Sequence, residues 1–170
     1  LSLPGILGVQ ECSIPKSNGY LSASSAKLQE WSERLGPKTQ PRIGLVWSGN
    51  AAHQNDRNRS INLQAFLDTL PTGFQYISLQ NQIRPDDVQA LNQTHRVTEY
   101  SELLRDFEDT AALCMSMDMV ISVDTSVAHL AGALARPLWV LLPFVPDWRW
   151  LQEREDNPWY PSARLFRQGA

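Results

Sequence analysis

Cysteine is scarce in this sequence, with two among 170 residues. Cys12 and Cys114 stand far apart, in neither the spacing of a metal site nor a disulfide framework. Cys114 sits among Leu113, Met115 and Met117 in an apolar helical pattern, so it is expected as a small core residue in a reducing, cytoplasmic compartment. Charge of one sign is also lacking: the net charge is −3 and the pI about 5.6. The basic residues are scattered, which excludes a dense nucleic-acid-binding face. No apolar run approaches the roughly 20 residues that cross a bilayer, since the longest, from Leu138 to Val145, is broken by Pro143. Missing too are a Gly-x-Ser-x-Gly elbow, a Gly-x-x-x-x-Gly-Lys loop and a Gly-x-Gly-x-x-Gly fingerprint, which weakens hydrolase, kinase and dehydrogenase readings. His53, His95 and His129 lack ligand-type spacing and no Asp-x-Asp occurs, so no metal site is expected.

What is present is globular in composition, 42% hydrophobic and 19% charged, and of a length that suits one domain. The chain opens on Leu1 without the basic leader and cleavage site of a signal peptide, and reads as a piece of a longer protein. Residues 1–23, rich in Ser, Gly and Pro, read as a connector. Leu28, Trp31 and Leu35 predict one amphipathic helix over 24–35, closed by Gly36 and Pro37. Residues 1–40 are thus expected as connector and helix, and 41–170 as the domain.

From Ile43 onward, strand and helix patterns alternate. Strands are predicted at 43–47, 74–79, 119–123 and 138–142, and helices near 61–70, 85–92, 109–117 and 125–135. Continuous apolar strands separated by helices indicate an α/β fold, a doubly wound parallel sheet of Rossmann-like kind. The stretch "SGNAAHQNDRNRS", Ser48 to Ser60, is longer than the usual connection of about 2 to 6 residues and stands directly after the first strand, so it is either a working loop or a mobile one.

Ligands of such sheets bind outside the carboxyl ends of the strands. The residues there are Ser48, Gly49 and Asn50, then Gln80, then Asp124, Thr125 and Ser126, then Pro143 and Phe144. On the helix that follows, Val127, Leu130, Ala131 and Leu134 form the packing face, while Thr125, Ser126 and His129 lie opposite at the amino end. His129 should lean back beside the free amides of the first turn, which with the helix dipole form an anion site. Asp124 would cap those amides or bind sugar hydroxyls. The small face of Ala128, Gly132 and Ala133 allows close approach, and Arg57 and Arg59 are candidate phosphate partners. The plainer account makes Asp124 a cap, His129 a surface histidine and the arginines merely solvated. Trp148 and Trp150 are expected in a short helix after Pro146, capped by Asp147, and serve packing more readily than sugar stacking.

The segment "DTSVAHLAGAL" resembles the Asp-Thr-Gly/Ser-x-x-His-Leu-Ala motif of bacterial heptosyltransferases. "RPLWVLLPFVPDWRW…NPWYPSARLFRQ" is similar to the carboxyl-terminal glycosyltransferase domain of bacterial tetratricopeptide-repeat proteins, which in this half resemble O-linked N-acetylglucosamine transferase. The likeness covers about residues 41–168. It implies the carboxyl-terminal half of a B-type glycosyltransferase fold, holding a nucleoside-diphosphate sugar without cofactor or metal. By that resemblance Ser48, Gly49, Asn50, Asp124, Thr125 and Ser126 would bind the donor, with Gln80, Asp106 and Phe107 near its ribose and base. Arg59 and His129 would stabilise the leaving phosphate. Arg59 stands where heptosyltransferases usually have a lysine before Trp-Pro, and Ser60-Ile61 follow here instead, which keeps a cation and leaves the sugar open. The resemblance also implies that the catalytic base lies in a missing amino-terminal half, preceded by tetratricopeptide repeats. The rival from another class is a non-catalytic nucleotide-binding or docking module.

Overall fold

The computed structural model describes residues 3–15 and 18–169; Leu1, Ser2, Lys16, Ser17 and Ala170, which touch the connector reading and the chain's first residue, lie outside the described residues. The helices are α1 (Leu3–Ile6), α2 (Ser25–Leu35), α3 (Asp56–Arg59), α4 (Leu63–Thr69), α5 (Pro85–Gln93), α6 (Phe107–Met115) and α7 (Ser126–Ala133). The strands are β1 (Arg42–Val46), β2 (Gln75–Ser78), β3 (Val97–Thr98), β4 (Met119–Val123), β5 (Leu138–Leu142) and β6 (Ala163–Arg167). They pair in the order β3-β2-β1-β4-β5-β6, every pair parallel. This is the strand order of a doubly wound Rossmann-like sheet, and the expected fold class is borne out.

One apolar cluster, including Trp31, Leu113, Met117, Ala131 and Trp150, fills the face covered by α2, α6 and α7. Another, including Leu45, Trp47, Leu63, Phe66 and Leu67, fills the face under α4 and α5. Burial on both faces explains why β1 is buried at all five positions; β4 is fully or partly buried throughout, and β5 is so except at Trp139, which is exposed.

The predicted helix over 24–35 starts at Ser25. Ser24 Oγ accepts from the Lys27 amide at 3.3 Å, and the helix ends where Gly36 turns to φ 65°. It is built into the core: Trp31 is buried, and its indole donates to Asp109 Oδ1 at 3.3 Å, which also takes Lys27 Nζ at 2.7 Å. The 48–60 stretch contains α3. Two strands had no sequence signal, β3 because it is two residues long and β6 because it is an edge strand carrying Arg164 and Arg167.

Candidate functional site

Chain direction reverses at the centre of the sheet. From β1 the chain crosses to β2 on one side, and from β4 it crosses to β5 on the other, so the loops leaving β1 and β4 diverge and open a crevice. A cleft of about 410 Å³ lies there. Ser48, Gly49, Asn50, Arg59, Gln80, Thr125 and Ser126 line it together, so seven of the nine site candidates meet at one place. Asp124 and His129 are not among the lining residues.

The β1 wall is fixed from within. Gln80 Oε1 accepts from the amides of Trp47 and Ser48 at 2.9 and 2.8 Å, and its Nε2 donates to Ser48 Oγ and the Gln82 carbonyl. Expected near a ribose, this amide closes the end of the strand. Arg84 then ties the loop, donating to the Gly49 carbonyl at 2.7 Å, Asp56 Oδ2 at 2.7 Å and Ser60 Oγ at 3.1 Å. Ser60 donates to Asp56 Oδ1 at 2.8 Å and accepts from the Gly49 amide at 3.1 Å. Burial alone would raise the Asp56 pKa, but the Ser60 hydroxyl, Arg84 and Arg59 outweigh it and hold the carboxyl below its ordinary value.

Arg59 joins the two walls. Its Nη1 donates to the Asp124 carbonyl at 2.8 Å, while Nε is buried without a hydrogen-bond partner among the described residues. The guanidinium lies against Gly49, where a Cβ would stand 2.5 Å from Nη2. Glycine at 49 is therefore the condition for the arginine to reach across. Arg57 is exposed and lines a neighbouring hollow of about 510 Å³ with Arg59 and Pro143, beside the ends of β5 and β6.

The β4 wall is a strand-to-helix turn with free amides. Thr125, extended at φ −141° and ψ 171°, precedes α7 and gives no side-chain cap. The amides of Ser126 and Val127 have no acceptor among the described residues, and both residues line the cleft. Asp124 does not cap them as expected: its Oδ1 accepts from Trp150 Nε1 at 2.8 Å. His129 is held by the tail that follows β5. Its Nδ1 pairs with Tyr160 Oη at 3.1 Å, and its ring stacks on Trp150 with centroids 4.8 Å apart and planes inclined 16°. Burial drives its pKa below 6.5, with Asp124 opposing and Arg149 assisting. The small face of α7 receives a tyrosine, since a Cβ on Gly132 would stand 2.4 Å from Tyr160 Cγ.

Val127, expected on the packing face, also borders the cleft. With Ser126, Leu79 and Asn81 it continues into a hollow of about 200 Å³ bounded by Asp106 and Phe107. Asp106 caps α6 by accepting from the Asp109 amide at 2.9 Å, and Phe107 is 62% exposed. A trough thus runs from Arg59 past the α7 amides to an aromatic face. Among the described residues no cluster of three or more His, Cys, Asp or Glu could hold a metal ion, and no helix is long and apolar enough to cross a membrane.

Sequence reasoning missed Asp56, Arg84, Trp150 and Tyr160 as parts of the site. The signal for Asp56 was weak but present, a lone acid beside two arginines in the loop already marked; Arg84, directly before Pro85, had none.

No family model matches the chain. It is 29% identical over 172 residues to Protein FlbA of Caulobacter vibrioides, covering 96% of this chain and 28% of that protein. In structure it is similar to E. coli ADP-heptose lps heptosyltransferase II, with a TM-score of 0.55 and 19% identity, over 91% of this chain and 47% of that one. The chain therefore spans less than a third of the first and about half of the second. What the structural likeness shows is the fold, a Rossmann-like domain of the kind found in B-type glycosyltransferases.

Proposed function

We propose that this chain is the carboxyl-terminal, donor-binding half of a metal-independent glycosyltransferase that uses a nucleoside-diphosphate sugar. One observation carries the reading: at the switch point of the sheet, Arg59 and the unpaired amides of Ser126 and Val127 border the same cleft. Helix-terminal amides and a guanidinium are the donors that a phosphate takes. The nucleoside then extends toward Phe107, and the sugar lies beyond Arg59. Ser48, Asn50 and Thr125 are its polar neighbours, and Asp124 is the acid beside the sugar.

In the transfer an acceptor hydroxyl attacks the anomeric carbon, the bond to the phosphate oxygen breaks, and negative charge grows on the leaving phosphate. Arg59 and the α7 dipole stabilise that charge. His129, kept neutral by burial, supports the wall behind them. The base that takes the acceptor's proton belongs to an amino-terminal half, and tetratricopeptide repeats would present the acceptor, in the cytoplasm where nucleotide sugars are made. The part of the related chains that this one spans, about half or less, supports a division of labour: this chain alone binds donor weakly and transfers nothing.

A second reading is favoured by one feature. Gln80, Asp124 and His129 all spend polar atoms on internal partners, as a docking module with a decayed pocket would. Calorimetric titration with uridine, adenosine and guanosine diphosphates separates the two. Saturable binding of one of them, weakened about tenfold or more by Arg59→Ala as loss of a charge-assisted hydrogen bond implies, supports the donor site. Absence of binding by all three, in this chain and in a chain joined to its amino-terminal half, would leave the docking module.

A further inference from the structure

The run before α7 is the richest in capping side chains, yet none of them caps. Helices α2, α4 and α6 are capped by the side chains of Ser24, Asn62 and Asp106, each accepting from the third amide of its helix, of Lys27, Ala65 and Asp109. At α7, Ser122, Asp124, Thr125 and Ser126 crowd the entrance, yet the third amide, of Ala128, goes to the Thr125 carbonyl at 3.1 Å, and the Ser126 and Val127 amides have no acceptor among the described residues. Ser122 Oγ donates to the Val123 carbonyl at 2.7 Å and pairs with Thr125 Oγ1 at 3.1 Å, so those two hydroxyls are turned on each other. Asp124 is the strongest capping side chain of the group. A carboxylate two or three residues before a free amide ordinarily folds onto it, and the helix dipole favours that.

Trp150 prevents it. The indole is fully buried and donates to Asp124 Oδ1 at 2.8 Å. The ring is clamped by its stack on His129, which Tyr160 holds in turn. The Asp124 backbone is fixed independently by Arg59 on its carbonyl, so the only freedom left to the carboxylate is rotation of its side chain, which the indole N–H arrests. We infer that Trp150 is a positioning residue that holds the Asp124 carboxylate away from the α7 amides and so keeps them open for the phosphates of the donor. The inference deepens the donor-site reading and rests on it for the ligand, though not for the geometry.

The test uses Trp150→Phe, which keeps an aromatic stack on His129 and removes the N–H, and the same variant with Asp124→Ala, since asparagine would cap as well as aspartate does. Thermal unfolding establishes that each is folded. If the phenyl substitution does not fold, site-specific replacement of Trp150 by its benzothiophene isostere, sulfur in place of the N–H, serves the same purpose. Two readouts apply. In amide nuclear magnetic resonance, Trp150→Phe should move the Ser126 or Val127 amide proton downfield as it takes a carboxylate acceptor, and Asp124→Ala in that background should reverse most of the shift. In titration with the diphosphate that the unaltered chain binds, Trp150→Phe should weaken binding about tenfold, the scale of a gained cap plus repulsion, and the added Asp124→Ala should restore most of it. A merely structural tryptophan would not be rescued by removing the Asp124 carboxylate. Unchanged α7 amides in Trp150→Phe, or affinity lost and not regained in the double variant, overturn the inference. Amides that respond in a chain that binds no diphosphate leave the Trp150 device standing and remove the donor reading.

Discussion

Asp56 and Asp124 belong to opposite walls of one cleft, and each is tied by a residue from a distant part of the chain, Asp56 by Arg84 and Asp124 by Trp150. The ties differ in kind. Arg84 neutralises Asp56 and, through the Gly49 carbonyl and Ser60, fixes a thirteen-residue stretch about one buried carboxylate. Trp150 supplies a single neutral donor to Asp124, and the α7 wall is held by aromatic packing. The β1 wall is thus rigid through charge and the β4 wall through shape. That difference decides which cation faces the cleft: Arg84 is taken up by Asp56, Gly49 and Ser60, while Arg59, 3.7 Å from Asp56 and bonded to the Asp124 carbonyl, lines it.

The sharpest break of this comparison is Arg84→Ala. It leaves a carboxylate that is 10% exposed with only Ser60 and the 3.7 Å contact to Arg59. Removing one partner of a buried pair is costly, and with Arg84 partly solvated the expected loss is about 2 to 4 kcal/mol in urea unfolding. A loss under about 1 kcal/mol would show that the loop is not organised around Asp56. The acid limb gives the same information. Asp56 has its folded pKa lowered from 3.8, so its stabilisation is complete above that value and is lost as pH falls through the folded pKa. Asp56→Asn should flatten the acid limb of the stability curve there.

Gly49→Ala sharpens the comparison next. The new Cβ would overlap the Arg59 guanidinium, the far end of a flexible side chain, so it swings Arg59 off the Asp124 carbonyl at little cost in packing. Diphosphate affinity should fall as it does in Arg59→Ala, and the two changes together should weaken binding no more than either alone. Additive losses in the double-mutant cycle would separate the glycine from the arginine. The matching change on the other wall, Gly132→Ala, meets the Tyr160 ring. It should cost about 1 to 2 kcal/mol and free His129 from Tyr160, which a rise of the imidazole pKa toward 6.5 in proton-detected titration would record.

How much of this could be read in advance follows from the range of each interaction. The bounds of β4 and β5 were legible because both are written as short apolar runs, broken only by Ser122, and the open α7 amides were legible because helix geometry is local. Seven candidates converge on one cleft because strand ends of a parallel sheet share an edge, a rule of topology that needs no coordinates. The orientation of Asp124 and His129 was not legible. It is set by Trp150 and Tyr160, 26 and 31 residues further on, in a tail whose folding back over α7 has no periodic signature. Asp56 and Arg84 lie 28 residues apart, and a charged pair of that separation looks in sequence like two solvated side chains. Gly132 shows the limit well: spacing revealed a small face on the helix and said nothing of whether a ligand or a tyrosine would fill it.

The smallest expected effect concerns the imidazole itself. Burial lowers the His129 pKa below 6.5, with Asp124 raising it in part, so the folded protein holds the ring neutral while the unfolded chain protonates it near 6.5. Since the unfolded state then binds more protons, stability is complete above pH 6.5 and declines as pH falls from there through the folded pKa, by at most about 1.4 kcal/mol per pH unit for one proton. Folding stability measured in urea between pH 7.5 and about 5.5 should therefore slope downward in the unaltered chain and lie flat in His129→Phe, whose ring can still stack on Trp150. An equal slope in both would mean that the imidazole charges freely in the folded state, and the β4 wall would then owe its shape to Trp150 and Tyr160 without a neutral histidine between them.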